Sequence, residues 1–287
     1  MPLQYGYSIY IPVKVNPEGS PPRMRKQALA DPVETMKFSD SWRDGIIHIN
    51  MSKTVLPLSQ ECREIILGSL LGDGSLKIHQ NYVTPRFSFR HSIKQTSYFK
   101  WKVSKLTEIS TEKNVWLQKP DGFGGAKLRY QSRADSRLTN LFSLVSKGDK
   151  KVVTRKWLNQ LSPLSLAVWW MDDGSLIGGG RDGVFCTDSF SKGQVEIIRK
   201  YLKVVWGLDT SIGEIKRSNN RHFFRLYIRS VEQLKNFFRL IIPHIKVQEM
   251  LYKVCIKYKD RELQQRWISE MVALSHFSEN DIVRSFR

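Results

Sequence analysis

An α+β fold of two pseudo-symmetric αββαββα subdomains is predicted by three features of the sequence. The segments ILGSLLGDGSL (Ile66–Leu76) and LAVWWMDDGSL (Leu166–Leu176) share the ending Asp-Gly-Ser-Leu, 100 positions apart. A similar order of helical and strand-like stretches follows each of them. Several of those strands alternate basic with apolar residues. Recurrence of a whole unit at this period indicates two similar subdomains, because solenoid repeats are shorter.

After the first segment come a strand near Pro85–His91, a helix near Thr96–Ile109, strands near Val115–Lys119 and Ala126–Arg133, and a helix near Ser136–Val145. After the second come a strand near Gly183–Thr187, a helix near Ser191–Trp206, strands near Ser211–Arg217 and His222–Arg229, and a helix near Val231–Ile241. The subdomains are placed at residues 55–150 and 151–259. Residues 1–54, rich in Pro, Gly and basic residues over Val15–Lys26, read as a loosely ordered extension. In residues 260–287, Leu263, Trp267 and Met271 fall four apart, so this tail is expected to form one amphipathic helix on the body.

Successive residues of a strand point to opposite faces of its sheet. Lys127, Arg129, Gln131 and Arg133 therefore share one face, opposite Leu128 and Tyr130. Arg221, Phe223, Arg225, Tyr227 and Arg229 share another, opposite His222, Phe224, Leu226 and Ile228. Arg86, Ser88 and Arg90 oppose Phe87 and Phe89. One such face would read as solvated surface. Three in one chain point to a sheet that reads nucleic acid, since a β-ribbon fits the major groove, where arginine recognises guanine and glutamine adenine.

Charge agrees with that partner. The 287 residues hold 46 Lys+Arg against 27 Asp+Glu, a formal charge of +19, which favours an extended polyanion. The longest apolar runs, such as Leu164–Met171, fall far short of the ~20 residues that span a bilayer, and no membrane partner is expected. The first twenty residues lack the pattern of a secretory signal. Cys62, Cys186 and Cys255 are odd in number and widely spaced, which fits a reducing interior and no CxxC zinc site. The six histidines form no HExxH motif, so zinc hydrolysis loses support.

Each Asp-Gly-Ser-Leu closes an apolar helix. Gly68 and Gly72 are four apart, hence on one helical face, where they let a second helix approach closely. Asp73 and Asp173 then fall at helix C-termini, where the helix dipole disfavours negative charge. Packed side by side, two such helices bring the carboxylates together, and a hard divalent cation is their natural occupant. A single Asp-Gly would read as an ordinary helix stop; two copies heading similar units argue against that.

The two segments, with FSFRHSIKQTSYF (Phe87–Phe99) and VFCTDSFSKGQVEIIRKYL (Val184–Leu202), resemble the LAGLIDADG homing endonucleases, in particular the monomeric branch with two motif copies per chain. The resemblance covers roughly Pro57 to Tyr258. It implies motif helices at the subdomain interface and two antiparallel sheets forming a DNA-binding saddle. It implies Mg²⁺, or Mn²⁺ in its place, bound by Asp73 and Asp173. It also implies a basic residue near each metal: by motif context Lys151, with Lys150 as the alternative, and Lys253. Asp172, next to the second ligand, is assigned to packing or hydrogen bonding, with assistance to that ligand as the alternative. The sheet residues carried over as DNA contacts are Arg86, Arg90, Lys127, Arg129, Gln131, Arg133, Arg221, Arg225, Tyr227 and Arg229. One departure stands out. Val168 and Asp172 replace the small residues Gly68 and Gly72 of the first motif, with Trp169 and Trp170 alongside. The halves cannot pack as mirror copies, and an asymmetric target is expected.

The implied activity is magnesium-dependent hydrolysis of both strands of a long DNA site, leaving short 3′ overhangs, by a monomer in the matrix of a mitochondrion or chloroplast. The competing expectation is a maturase that binds its host intron RNA on the same scaffold. Retention of both acids favours cleavage. A transcription regulator ranks third, because the tail after Asp260 is too short for an added helix-turn-helix domain.

Overall fold

The computed structural model describes residues 56–286, except 81, 121–124, 149 and 218–220. The extension expected over residues 1–54 lies outside the described residues.

The first subdomain runs α1 (Gln60–Leu71), β1 (Ser75–Lys77), β2 (Arg86–Ser92), α2 (Thr96–Ser104), β3 (Val115–Gln118), β4 (Lys127–Gln131) and α3 (Thr139–Val145). A small hairpin, β5 (Ser146–Lys147) and β6 (Lys150–Lys151), and a short helix, α4 (Arg155–Leu158), lead onward. The subdomain boundary placed at 150/151 falls inside that hairpin. The second subdomain repeats the order: α5 (Pro163–Asp173), β7 (Gly174–Ile177), β8 (Asp182–Phe185), α6 (Lys192–Trp206), β9 (Ser211–Lys216), β10 (His222–Ile228) and α7 (Val231–Ile241). Each half forms an antiparallel four-stranded sheet, ordered β1-β2-β4-β3 in one and β7-β8-β10-β9 in the other. The expected αββαββα repeat is therefore present.

Helices α1 and α5 hold the halves together. Both are apolar all round, as a helix enclosed on every side must be: Ile65 through Leu71 and Leu164 through Met171 are buried. Serine caps start them. The Ser59 hydroxyl accepts from Cys62 N–H, and that of Ser162 from Ser165 N–H, with Pro163 in the first turn. Contact between the two helices is close. A Cβ on Gly68 would lie 2.3 Å from the Ser165 carbonyl oxygen, and one on Gly72 2.5 Å from Asp172 Cβ. The hydroxyl of Ser165 donates to the Glu64 carbonyl across the same seam. Trp169 and Trp170 pack within the second subdomain, Trp169 stacking on Phe185 at 4.1 Å and Trp170 meeting Phe185, Phe237 and Phe238 edge-on.

Three expectations are corrected and two strands are added. Helix α2 stops at Ser104, and the chain tightens into a 3₁₀ turn at Thr107–Ile109 that buries both Leu106 and Ile109. The first strand of each sheet, β1 or β7, was not located in the sequence, because three or four residues are too few to display alternation. The tail forms two helices, α8 (Arg261–Leu274) and α9 (Glu279–Arg284), rather than one. Within α8 the buried stripe is Trp267, Ile268 and Met271, while Leu263 in the first turn is 45% exposed. Among the described residues no helix is long and apolar enough to cross a membrane.

Candidate metal centre and nucleic-acid interface

The tips of α1 and α5 differ in detail. Helix α1 ends at Leu71, with Gly72 and Gly74 N–H both donating to the Ser69 carbonyl, so Asp73 lies in the turn just beyond. Helix α5 continues through Asp173, its last residue. Both lead directly into the first strand of their sheet. Lys151 Nζ donates to the Leu70 carbonyl at 2.7 Å, and Lys253 Nζ to the Met171 carbonyl at 2.5 Å. An ammonium at each helix C-terminus satisfies carbonyls that have no partner within the helix, and offsets the negative end of the dipole. Lys151 is half-buried and Lys253 buried. Lys150, the alternative, is exposed on β6.

Between the tips lies a buried polar cluster. The Asp172 carboxylate is fully enclosed and meets Lys102 Nζ at 3.0 Å. Tyr98 Oη donates to its Oδ1 at 2.7 Å. Lys102 Nζ is also 3.4 Å from His91 Nε2, and His91 Nδ1 is 3.3 Å from Asp73 Oδ2. Buried charges persist only when paired and hydrogen-bonded, and here each has a partner.

The two terminal carboxyls differ electrostatically. Partial burial would raise Asp73, but the His91 hydrogen bond and the Lys102 and Lys253 charges outweigh it and hold the group below its ordinary value. Burial, then the charges of Asp73 and Asp172, push Asp173 up to about 7, against the pull of Lys253 and Lys151. Burial lowers Lys151 to about 8 despite Asp173 and Asp73, and lowers Lys253 in the same way. Such crowding of negative charge is what a hard divalent cation relieves. The donor set fits one: Asp73 keeps 40% of its side chain exposed, and no hydrogen bond reaches the Asp173 carboxylate among the described residues. Ligand atoms of Asp73, His91 and Asp172 also lie within 4.8 Å of one another. Beside Asp172, however, the Lys102 ammonium already fills a cation's place.

The sheets present the basic faces. Arg86, Arg90, Lys127, Arg129 and Gln131 lie on β2 and β4, with Arg90 paired across the ladder with Arg129. Arg129 sits 5.4 Å from the exposed Trp116 ring, and Arg86 sits 4.5 Å from the Tyr82 ring. On the other sheet Arg225 and Tyr227 lie within β10, Arg221 precedes it and Arg229 follows it. Arg225 makes a two-pronged ion pair with Asp188, both contacts 2.6 Å, and Arg229 pairs with Asp182 at 3.0 Å. The backbone N–H of Cys186 donates to the Asp173 carbonyl, which sets Asp188 and Arg225 close to the α5 tip. Arg133 lies past the end of β4, held by Asp135 and the Glu108 carbonyl.

A family model described as the LAGLIDADG DNA endonuclease family matches residues 63–237, more than half of the chain. The chain belongs to that family. Similar proteins include "Protein RecA" of Mycobacterium gastri, 32% identical over 221 residues, covering 72% of this chain and 50% of that protein. The DNA endonuclease I-ChuI of Chlamydomonas applanata is 26% identical over 220 residues, covering 69% of this chain and 96% of that one. Cytochrome b mRNA maturase bI2 of Saccharomyces cerevisiae is 26% identical over 216 residues, covering 71% and 50%. The chain spans about half the length of the RecA relatives it matches. Among solved structures, the homing endonuclease I-WcaI bound to its DNA recognition sequence superposes with a TM-score of 0.62 at 24% identity, covering 72% of this chain and 91% of that one. It shares the LAGLIDADG fold.

Within that LAGLIDADG frame, sequence reasoning overlooked His91, Tyr98 and Lys102. One signal was present. His91 continues the inward face of Phe87 and Phe89 in the period of two, so a titratable ring was bound to point at the core. Lys102 follows Tyr98 by four residues on α2 and shares its buried face, but no local pattern reveals that Asp172 awaits it on another helix.

Proposed function

We propose that this chain is a site-specific, double-strand DNA endonuclease that hydrolyses phosphodiester bonds with a divalent metal, Mg²⁺ or Mn²⁺ in its place. The observation that carries the reading is the pair of carboxylates, Asp73 and Asp173, at the tips of two helices in close contact, each helix end closed by a buried or half-buried lysine. A bound metal would supply Lewis-acid stabilisation of the charge that develops on the scissile phosphate and its leaving oxygen. Asp73 and Asp173 would hold it. Lys151 and Lys253, fixed on the helix-end carbonyls, add positive charge where negative charge grows, without reorganising during the reaction. The basic faces of the two sheets hold the duplex, with Arg86, Arg90, Lys127, Arg129, Gln131, Arg225, Tyr227 and the flanking Arg133, Arg221 and Arg229 as its contacts.

Both acids come from one chain, which supports a monomer. The unlike tips and unlike sheet faces support a long asymmetric target, and cleavage is expected to leave short 3′ overhangs. Action in the matrix of a mitochondrion or chloroplast is part of the same proposal, on the likeness to proteins of a yeast and an alga.

A second reading is RNA binding to a host intron, favoured by the likeness to a protein named an mRNA maturase. A cleavage selection on a randomised DNA library with magnesium separates the two. The wild type is expected to enrich one long asymmetric site, with Asp73→Asn and Asp173→Asn binding it but leaving it uncut. Tight binding of structured intron RNA, with no DNA cut under any divalent metal, would replace the first reading with the second.

A further inference from the structure

The Lys102–Asp172 pair is an expensive way to build a helix interface. Both side chains are fully buried, and replacing such a pair by apolar residues of similar volume is often neutral or stabilising. A pair of this kind is weak evidence of a stabilising role, and its neighbours indicate another. The ammonium that meets Asp172 also faces His91 Nε2 at 3.4 Å, while His91 Nδ1 faces Asp73 Oδ2 at 3.3 Å. An ammonium has only protons to offer, so this contact favours Nε2 as the acceptor and the ring proton on Nδ1, aimed at the carboxylate, against the pull of Asp172 Oδ1, which lies 3.7 Å from the same Nε2. Lys102 is held in turn by both Asp172 oxygens, at 3.0 and 3.1 Å, and rests 4.4 Å from the Phe89 ring centre.

The other half lacks this arrangement. Strand registers pair Ser75 with Ser88 and Ser175 with Val184. Three residues further along, His91 therefore corresponds to Thr187, whose hydroxyl donates to the Phe224 carbonyl. Asp172 corresponds to Gly72, which has no side chain to offer. One tip has a carboxylate positioned from behind, and the other does not.

We propose that Lys102 and Asp172 fix His91 as an Nδ1–H donor to Asp73, a positioning device for one metal-holding carboxylate that Asp173 lacks, so that the two centres are unequal. Resting on the cleavage reading above, the consequence is an order of events: the strand served by Asp73 is cut first.

The tautomer is measurable without metal or DNA. In full-length chain labelled with ¹⁵N-histidine, a long-range ¹H–¹⁵N spectrum, assigned by the signal missing from His91→Gln, should show a protonated Nδ1 and a bare Nε2 at His91. The double variant Lys102→Met/Asp172→Leu leaves no unpaired buried charge, and a thermal melt checks that it folds. It should lose the pure Nδ1–H form. A wild-type ring protonated at Nε2, or a signal unchanged in the double variant, overturns the device. On the duplex enriched by the selection, His91→Leu should slow the first-cut strand about 10–100-fold, as loss of a group that orients a metal ligand does, and spare the other. His91→Gln, which can still donate, should restore it. Equal slowing of both strands overturns the inequality. If the wild type cuts no duplex, the cleavage reading fails, and the histidine spectrum still decides the device.

Discussion

Lys151 and Lys253 show how one residue serves two purposes. Each occupies a helix C-terminus that needs a donor, and each is thereby held rigidly beside the acids. Asp135 illustrates the same principle away from the site. Its carboxylate accepts from the Arg137 guanidinium and backbone N–H and from Arg133, which together bring it from 3.8 to about 2. The native state therefore binds this proton less readily than the unfolded chain. The stabilisation is present above about pH 4 and is lost as pH falls toward 2. In acid unfolding followed by circular dichroism, Asp135→Asn is expected to be less stable than wild type at pH 6 and to show a shallower further loss between pH 4 and 2.

At the scale of elements, the seam between α1 and α5 depends on a missing side chain. Any Cβ at Gly68 collides with backbone atoms of Ser165, which cannot swing aside. Overpacking of this kind typically costs ~1–3 kcal/mol, so Gly68→Val is expected to lower stability by at least that much in urea unfolding. Gly193 provides the contrast. It lies exposed in the first turn of α6, where an added Cβ meets nothing within 4 Å. Gly193→Ala should raise stability by ~0.4–1 kcal/mol, through the lower entropy of the unfolded chain. The same seam explains why Trp169 and Trp170 can adjoin the second motif: their rings fill the core of their own half and leave the helix contact open to Gly72 and Asp172.

The whole molecule combines strong positive charge with two sheets of unlike character. Arginines lie over aromatic rings on both sheets, Arg86 and Arg129 on β2 and β4 and Arg229 over Tyr227 at the end of β10, and at β10 carboxylates hold them as well, Asp188 on Arg225 and Asp182 on Arg229. A chain of charge +19 that neutralises several phosphates releases their counterions on binding. Affinity for the selected duplex, measured by fluorescence anisotropy, should fall about 10³–10⁵-fold between 50 and 200 mM salt. A shallow dependence would mean that few phosphates are touched.

The sequence by itself determined the twofold repeat, most strand and helix positions, the basic strand faces and the two terminal aspartates. These are legible because each rests on local spacing: a period of two in strands, glycines four apart in a helix, a motif recurring 100 positions on. Short strands such as β1 were not legible because three residues are too few to display alternation, and the break in α2 before Leu106 was not because tertiary burial outweighed local preference there. Only the tertiary structure decided what surrounds Asp73. Asp172 is a neighbour of Asp173 in the chain, yet its carboxylate is bound by Lys102 and Tyr98 of the other subdomain. Partners separated by 70 or more positions meet only because α1 and α5 pack together, and no periodicity in a single chain records that contact.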